Sequence, residues 1–231
     1  MSKIAFISDI HSNFEALREV LNVIDGLGIN KIYCLGDVTG YYSQVNECCD
    51  ELRKREIPVI MGNHDWYLAG GGFCPRSKSV NDCLVYQRKV ITKENLSWIK
   101  KFPIQLEVKD IKMVHGGWAN PIDEYLNNPT KEYFDNVEGK YFVSGHTHLA
   151  RIDDFGDKVY CNPGSVGQPR DNDPRASFAI FDGEFKLFRV RYNIQKTCIL
   201  MDEAGFNNYY YGCLETGEKN LCKPKRNNVN V

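Results

Sequence analysis

Short apolar runs alternate with helical patterns over the first third of the chain. The run at residues 3–8 predicts a buried strand, and apolar residues spaced three or four apart over residues 13–27 predict a helix. The pattern continues with a strand at 31–35, a helix at 45–55 and a strand at 57–61. Such a βαβαβ series is typical of a mostly parallel sheet with helices on its faces.

The second half of the chain is richer in strand patterns. A glycine-rich loop at residues 70–76 is followed by predicted helices at 77–91, 93–101 and 130–137. Predicted strands lie at 105–108, 111–114, 141–144, 158–161, 177–182 and 184–192. Asp182-Gly183 predicts a tight hairpin turn, so this half indicates antiparallel strands in a second sheet packed on the first. One more helix is predicted at 197–204, and the last ten or so residues are expected to be loose.

Composition excludes several classes of protein. The chain has 231 residues and a net charge of -1, so no global field draws it to nucleic acid or to an anionic membrane. No apolar run approaches the roughly 18 residues of a membrane span, and no signal peptide is recognisable. The nine cysteines form no Cys-x-x-Cys pair, which favours reduced, structural thiols and a cytoplasmic location.

The five histidines all lie in short polar and glycine-rich signatures, and none lies in an amphipathic helical pattern. With one signature that lacks histidine, the series is Ser8-Asp9-Ile10-His11, Leu35-Gly36-Asp37-Val38-Thr39-Gly40, Gly62-Asn63-His64-Asp65, Val114-His115-Gly116-Gly117 and Ser144-Gly145-His146-Thr147-His148. Each follows a predicted strand. Because ligands of α/β sheets bind beyond the carboxyl ends of strands, we expect the signatures to converge on one cavity.

The donor atoms in these signatures are those of a metal centre. Oxygen and imidazole donors without thiolate suit Mn, Fe, Zn, Co or Ni. The candidate ligands are Asp9, His11, Asp37, Asn63, His115, His146 and His148. They exceed the roughly four to six ligands of one ion and suit two ions about 3.5–4 Å apart, with Asp37 as the best bridging candidate. Taken singly, each signature also fits a turn or a core histidine; the set of five favours metal.

The five signatures, in this order, resemble the blocks DxH, GDxxx, GNHD/E, xHGG/H and GHTH of the calcineurin-like metallophosphoesterases. The likeness is greatest to the small single-domain bacterial and archaeal phosphodiesterase branch, and the segment from Asn162 to Arg170 resembles a further block of that branch. It covers about residues 1–195, which we take as the domain, with residues 196–231 as a C-terminal extension. The fold implied is an α/β fold, a four-layer α/β/β/α sandwich with two mixed β-sheets.

The resemblance also implies residue roles. One metal ion would be bound by Asp9, His11, Asp37 and His148, and the other by Asp37, Asn63, His115 and His146. His64 would not be a ligand; it would protonate the leaving oxygen or stabilise charge on the phosphoryl group, with Asp65 orienting its ring. Mn²⁺ is the metal expected first, with Fe, Ni, Zn and Co as alternatives.

The reaction implied is hydrolysis of a phosphodiester in a small or nucleotide-type substrate by a hydroxide that bridges two metal ions. A phosphomonoesterase or a nuclease of the same family is the alternative enzyme, although no basic groove is visible. Some members of this fold act as protein-binding scaffolds, in which a key histidine is lost; here His64 is present. A homodimer through the second sheet stays open.

The chain departs from the protein-phosphatase branch after Asp37, where that branch carries an Asp-Arg-Gly extension whose arginine binds phosphate. Its absence argues against a phosphoprotein phosphatase or a symmetrical dinucleoside tetraphosphatase. Arg170 and Arg175 either bind an anionic group of the substrate or are solvated surface charges. Tyr41 and Tyr42 either line the pocket or pack in the core.

Overall fold

Two mixed β-sheets form the centre of the molecule. The computed structural model describes residues 3–218. Its strands are β1 (Ile4–Ile7), β2 (Lys31–Cys34), β3 (Gln105–Val108), β4 (Ile111–Val114), β5 (Tyr141–Val143), β6 (Arg151–Asp154), β7 (Val159–Asn162), β8 (Ala176–Phe181) and β9 (Phe185–Val190). One sheet has the order β2-β1-β8-β9 and the other the order β3-β4-β5-β7-β6.

Each sheet combines parallel and antiparallel pairs. β1 is parallel to β2, in the register Ile4 with Lys31, and antiparallel to β8 on its other side. In the second sheet β4, β5 and β7 run parallel, whereas β3 and β6 are antiparallel edges. The final β8–β9 hairpin therefore belongs to the first sheet, and the antiparallel strands of the second half are divided between both sheets.

Helices cover the outer faces of both sheets. They are α1 (Phe14–Gly26), α2 (Val45–Lys54), α3 (Asn63–Gly70), α4 (Lys78–Val90), α5 (Lys93–Ile99), α6 (Lys131–Asp135), α7 (Ile194–Glu203) and α8 (Asn208–Tyr211), followed by a 3₁₀ helix at Gly212–Glu215. Leu17 and Val20 of α1 share one buried cluster with Ile7 of the first sheet. Phe134 of α6 packs on Phe142 of the second sheet. The predicted four-layer α/β/β/α sandwich is confirmed.

The two sheets are held together by an apolar layer between them. Phe6 and Phe181 of the first sheet share this layer with Met113, Val143 and Cys161 of the second. These side chains are at most 6% exposed, and full burial of a residue of this size is worth about 1.5–3 kcal/mol. The layer fixes the spacing of the sheets, so the ends of their strands face one another across it.

One predicted element of local structure was wrong, and two elements of the predicted domain were missed. The predicted strand at residues 57–61 is an extended segment with a single bridge, Val59 to Cys34, because Pro58 has no N–H to donate and Met61 N–H donates instead to Pro103. The segment after it begins α3, a helix that was not predicted. β6 was missed because its sequence, Arg-Ile-Asp-Asp, has the charges of a loop.

The chain after residue 195 packs on the domain as far as it is described. The helix predicted at 197–204 is present as α7, beginning three residues earlier, and Thr197 Oγ1 lies 3.0 Å from the Asn13 amide oxygen at the start of α1. The predicted domain boundary stays a prediction, and the last ten residues lie outside the described range. Within that range no helix is long and apolar enough to cross a membrane.

Gln87 of α4 fixes the loop that follows β2. This side chain is fully buried; its amide nitrogen donates to Tyr42 O at 2.7 Å and Gly40 O at 2.8 Å, and its oxygen accepts from Gly40 N–H at 2.9 Å. Its nitrogen also lies 3.0 Å from Ser12 Oγ. One side chain thus satisfies several buried backbone groups for which the loop has no secondary-structure partner.

We expect Gln87→Leu to lower the free energy of unfolding by about 2–4 kcal/mol, because buried backbone donors and acceptors lose their partner. Urea titration of the metal-free protein measures this. Gln105→Leu, the same chemical change at an exposed residue of β3, is the matched control and should shift stability by less than about 0.5 kcal/mol. Equal effects of the two changes would contradict the role assigned to Gln87.

Candidate metal centre

All seven predicted ligands lie at the carboxyl ends of strands or at a helix start, and all are buried. Asp9 and His11 follow β1, and Asp37 follows β2. The others are Asn63, the first residue of α3; His115, directly after β4; and His146 and His148, in the loop after β5. The strand ends of the two sheets face one another, so the seven side chains converge at one place.

Five of these seven residues have a left-handed backbone. The φ angles are 52° for Asp9, His11 and Asp37, 65° for His146 and 61° for His148. Non-glycine residues adopt this region uncommonly, and each such residue stores on the order of 1–3 kcal/mol of strain that the surrounding structure must offset. Strain concentrated at the carboxyl ends of three different strands indicates that these side chains are aimed for a purpose other than packing.

One group of donors comprises Asp9, His11 and His148. The Nε2 atoms of His11 and His148 lie 3.0 Å apart, and Asp9 Oδ1 lies 3.2 Å from His148 Nε2. Asp9 Oδ1 is buried and has no hydrogen-bond partner among the described residues, whereas its other oxygen accepts from Ser8 Oγ and from the N–H of His146.

The tautomers of three histidines follow from their other ring nitrogens. The Nδ1 atoms of His11, His115 and His148 lie 2.9, 2.7 and 2.6 Å from the carbonyl oxygens of Thr39, Leu35 and Gln168. A carbonyl oxygen can only accept, so each Nδ1 carries a hydrogen, and in the neutral ring each Nε2 presents a lone pair to the cluster. His11 and His148 then direct two lone pairs at each other and at an unpaired carboxylate oxygen. This arrangement fits a bound cation.

A second group of donors comprises Asn63, His115 and His146. His115 Nε2 lies 3.2 Å from Asn63 Oδ1 and 3.2 Å from His146 Nδ1. The other nitrogen of His146, Nε2, has no hydrogen-bond partner in the described chain, and the nearest carboxylate is Asp123 at 3.7 Å. An amide oxygen and two imidazole nitrogens at this spacing also fit a divalent cation.

Asp37 lies between the two groups. Its Oδ2 atom is 3.8 Å from His11 Nε2 on one side and 3.4 Å from His115 Nε2 on the other. Its Oδ1 atom accepts from the N–H of His64 at 2.8 Å and lies so close to Gly62 that a Cβ there would overlap it. The glycine of this signature is therefore required for close approach of the chain to the carboxylate.

His64 lies beside the cluster, but Asp65 does not orient it. His64 Nε2 is 3.9 Å from Asp37 Oδ2, while its Nδ1 has no hydrogen-bond partner in the described chain. The carboxylate of Asp65 accepts from the N–H groups of Thr39, Val38 and Gly62 at 3.0, 3.4 and 3.2 Å. As the third residue of α3, Asp65 reaches back to the helix start, as capping carboxylates do. The expected Asp65–His64 contact is corrected accordingly.

Burial and mutual repulsion set the charge states of the histidines. The pKa of His11 is held well below its usual range by burial and by the neighbouring His148, and the pKa of His146 falls to about 2 for the same kind of reason. His115 is the exception. Burial opposes its charged form, but the carboxylates of Asp37 and Asp9 raise its pKa to about 10. Burial and the nearby Asp37 raise the pKa of Asp65 to about 7. Positive charge is thus favoured beside Asp37.

Sequence reasoning did not assign four groups that contact the centre. Gln168 binds the His148 ring through its carbonyl, and Ser165 donates from its hydroxyl to the carbonyl of Asp9 at 2.7 Å. Both belong to the segment from Asn162 to Arg170, which resembles a block of the family. That resemblance marked the segment but assigned no role to its residues. The ring centre of Tyr125 lies 3.9 Å from that of His146, and the carboxylate of Asp123 lies 3.7 Å from His146 Nε2. No sequence pattern marked either residue.

Comparison with known proteins agrees with this geometry. The model of the calcineurin-like phosphoesterase superfamily domain matches residues 2–185. The chain belongs to this family. It is 38% identical to the uncharacterized protein MJ0912 of Methanocaldococcus jannaschii, over 84% of this chain and 90% of that protein. It is 26% identical to the phosphodiesterase YfcE of Escherichia coli, over 80% and 89% of the two chains.

A solved structure shows the same fold. The crystal structure of a metallophosphoesterase from Sphaerobacter thermophilus superposes with a TM-score of 0.80 at 30% identity, covering 93% of this chain and 98% of that one. The calcineurin-like phosphoesterases are metal-dependent hydrolases of phosphoric esters, and this protein is a member. The two buried groups of donors are its candidate divalent-metal sites.

The metal-free protein should lose stability on acidification from pH 7 to pH 5. His11, His64, His146 and His148 have folded pKa values below the unfolded value of about 6.5, so the unfolded chain binds more protons in this window and stability rises with pH. His115 and Asp65, with raised pKa values, oppose the effect but are outnumbered. Each net proton contributes about 1.4 kcal/mol per pH unit.

Urea unfolding of chelator-treated protein at several pH values measures this slope. His146→Gln removes one of the four lowered groups and should make the fall shallower by about one proton. Stability that is flat or rises between pH 7 and pH 5 would show that the histidines are not held neutral in the folded protein.

Proposed function

We propose that the protein is a two-metal phosphodiesterase that acts on small or nucleotide-type phosphate esters. The observation that carries the proposal is the position of Asp37 Oδ2, 3.8 Å from His11 Nε2 and 3.4 Å from His115 Nε2. One carboxylate oxygen with an imidazole nitrogen on either side is the arrangement that a ligand shared by two cations requires.

The two groups of donors would each hold one ion. Asp9, His11 and His148 would hold one and Asn63, His115 and His146 the other, with Asp37 bridging them. When bound, two such cations activate water as a nucleophile and neutralise charge on the phosphoryl oxygens. We expect Mn²⁺ first, with Fe, Ni, Zn or Co also compatible with imidazole and carboxylate donors.

His64 is proposed as the residue that contacts the reacting phosphoryl group. Its Nε2 faces the cluster, and burial together with the charge of Arg170 lowers its pKa, so the ring is neutral at pH 7. With its hydrogen on Nε2, a neutral imidazole can donate to a phosphoryl oxygen or to the leaving oxygen. Asp65 is proposed to act through the backbone, by holding the loop that carries Asp37.

The preference for diesters is supported by one relative. YfcE, similar over most of both chains, is named a phosphodiesterase. Attack by an activated water requires no covalent intermediate. The partner proposed is therefore a small phosphate ester.

We also propose a cytoplasmic location and a homodimer. The eight cysteines of the described residues are all free and buried, which supports a reducing compartment such as the cytoplasm. A homodimer would use an edge of the five-stranded sheet, where β3 or β6 presents backbone groups to a neighbour.

Chelator-treated protein should not hydrolyse bis-p-nitrophenyl phosphate, and added Mn²⁺ should restore the activity. His64→Ala should lower kcat by about 10²–10⁴-fold with metal content unchanged, because it removes a proton donor and not a ligand. The p-nitrophenyl monoester, measured alongside, ranks diesterase against monoesterase activity. Folded wild-type protein without turnover in any divalent metal would overturn the proposal and favour a scaffold.

Metal content of purified variants tests the bridge. Elemental analysis should find two ions per chain in the wild type and about one in His115→Ala. Asp37→Ala should retain fewer ions than His115→Ala, because the lost carboxylate serves both groups. Equal losses in the two variants would argue that Asp37 belongs to one site only.

A further inference from the structure

Arg170 lies against the metal centre without a carboxylate partner. Its loop follows β7, and its N–H donates to the carbonyl of His148 at 3.2 Å. The guanidinium donates to Tyr41 Oη at 2.8 Å and, from Nη2, to Gln168 Oε1 at 2.7 Å. Both acceptors are neutral. Among the residues described, no aspartate or glutamate forms an ion pair with Arg170.

The other arginines of this region are neutralised. Arg175, in the same loop, is paired with Asp173, with Nη2 2.6 Å from the carboxylate. Arg189 is paired with Asp171, and Arg76 with Asp123. A half-buried guanidinium without a paired carboxylate keeps its charge available to an anionic ligand.

Arg170 also has hydrogen-bond donors that the described residues do not use. A guanidinium has five N–H groups, and here Nε and Nη2 make all its side-chain hydrogen bonds to the described residues. The two N–H groups of Nη1 are left for a ligand. Arginine binds phosphate and carboxylate through such paired donors more specifically than lysine does.

Tyr41 links Arg170 to the reacting end of the site. The Tyr41 ring centre is 4.7 Å from that of His11 and 5.1 Å from that of His64, and Arg170 Cζ lies 5.6 Å from it. Tyr41 itself has a φ of 35°, a backbone conformation unusual for a tyrosine.

We propose that Arg170 binds a non-bridging oxygen of the substrate's phosphoryl group, with Tyr41 and Gln168 holding the guanidinium in position. This inference rests on the proposed function and adds a substrate-binding residue to it. The chain has no arginine directly after Asp37, and Arg170 reaches the centre from the other sheet instead. The ligand class is an oxyanion with negative charge shared between at least two oxygens.

Arg170→Met keeps the length of the side chain and removes its charge. In the metal-loaded protein we expect it to lower kcat/KM for bis-p-nitrophenyl phosphate by about 10–100-fold, the range for loss of a charged hydrogen bond to substrate. Arg170→Lys should fall between this variant and wild type, because it restores the charge without the paired donors. Tyr41→Phe should lose about 3–10-fold, since the guanidinium keeps Gln168 and loses one acceptor.

Arg175→Met is the matched control. It makes the same chemical change in the same loop, at an arginine whose charge is already paired, and should stay within about twofold of wild type. Calorimetric titration with inorganic phosphate supplies a second measurement without turnover: Arg170→Met should weaken phosphate binding about tenfold and Arg175→Met should not. Metal content must equal that of wild type in each variant.

The outcomes separate this inference from the proposed function. If wild type hydrolyses the diester and Arg170→Met matches Arg175→Met in both assays, the role of Arg170 is overturned while the enzyme assignment stands. If wild type shows no metal-dependent hydrolysis, the proposed function fails, and the phosphate titration still decides whether Arg170 binds an oxyanion. Should Arg170→Met not fold, Arg170→Lys and Tyr41→Phe decide; wild-type values for both would overturn the inference.

Discussion

The structure depends on the electrostatics of buried lone pairs. Three histidine Nδ1–H groups are bound to backbone carbonyls, so their rings cannot turn away from the centre. The Nε2 atoms of His11 and His148, 3.0 Å apart, repel one another unless positive charge lies near them. Taking these groups and the carboxylates of Asp9 and Asp37 out of water is unfavourable, and the large apolar layers on either side of each sheet offset that cost.

The loops that hold the centre are shaped by contacts between the two halves of the site. The N–H groups of Asp9 and His11 donate to the carbonyls of Gly36 and Asp37, so the loops after β1 and β2 pair although they contain no regular strand. A Cβ on Gly145 would overlap Ser8 Oγ, which brings the loop after β5 against the same residues. This mutual packing holds the ligand residues in their left-handed backbone conformation. That conformation lowers stability locally, but it directs the side chains into the centre.

More of the candidate site than of the strand pairing could be predicted from the sequence. The donor types at the ends of predicted strands were enough to predict that seven residues lie together. Hydrophobic periodicity and the ends of strands are local properties of the sequence, so both can be predicted from it. The contact of Asp65 was wrong since its three backbone partners come from two loops, which no spacing reveals. The strand predicted at residues 57–61 was wrong because Pro58 has no N–H to donate to a neighbouring strand. Tyr125 was missed because nothing in the local sequence distinguishes it from a packing tyrosine. Long-range pairing, including that of β8 with β1, could not be read from a pattern.

The position of β8 has a consequence for how the protein is made. β1 is a central strand, and one of its edges has no partner until residues 176–181 have left the ribosome. The loop before β8 supplies the N–H groups of Val166 and Gly167 to the carbonyls of Ser8 and Asp9. The loop after β1 therefore takes its final form only when the chain as far as β8 has been synthesised. A metal ion held by Asp9 and His11 would accordingly bind late, after the first sheet is complete.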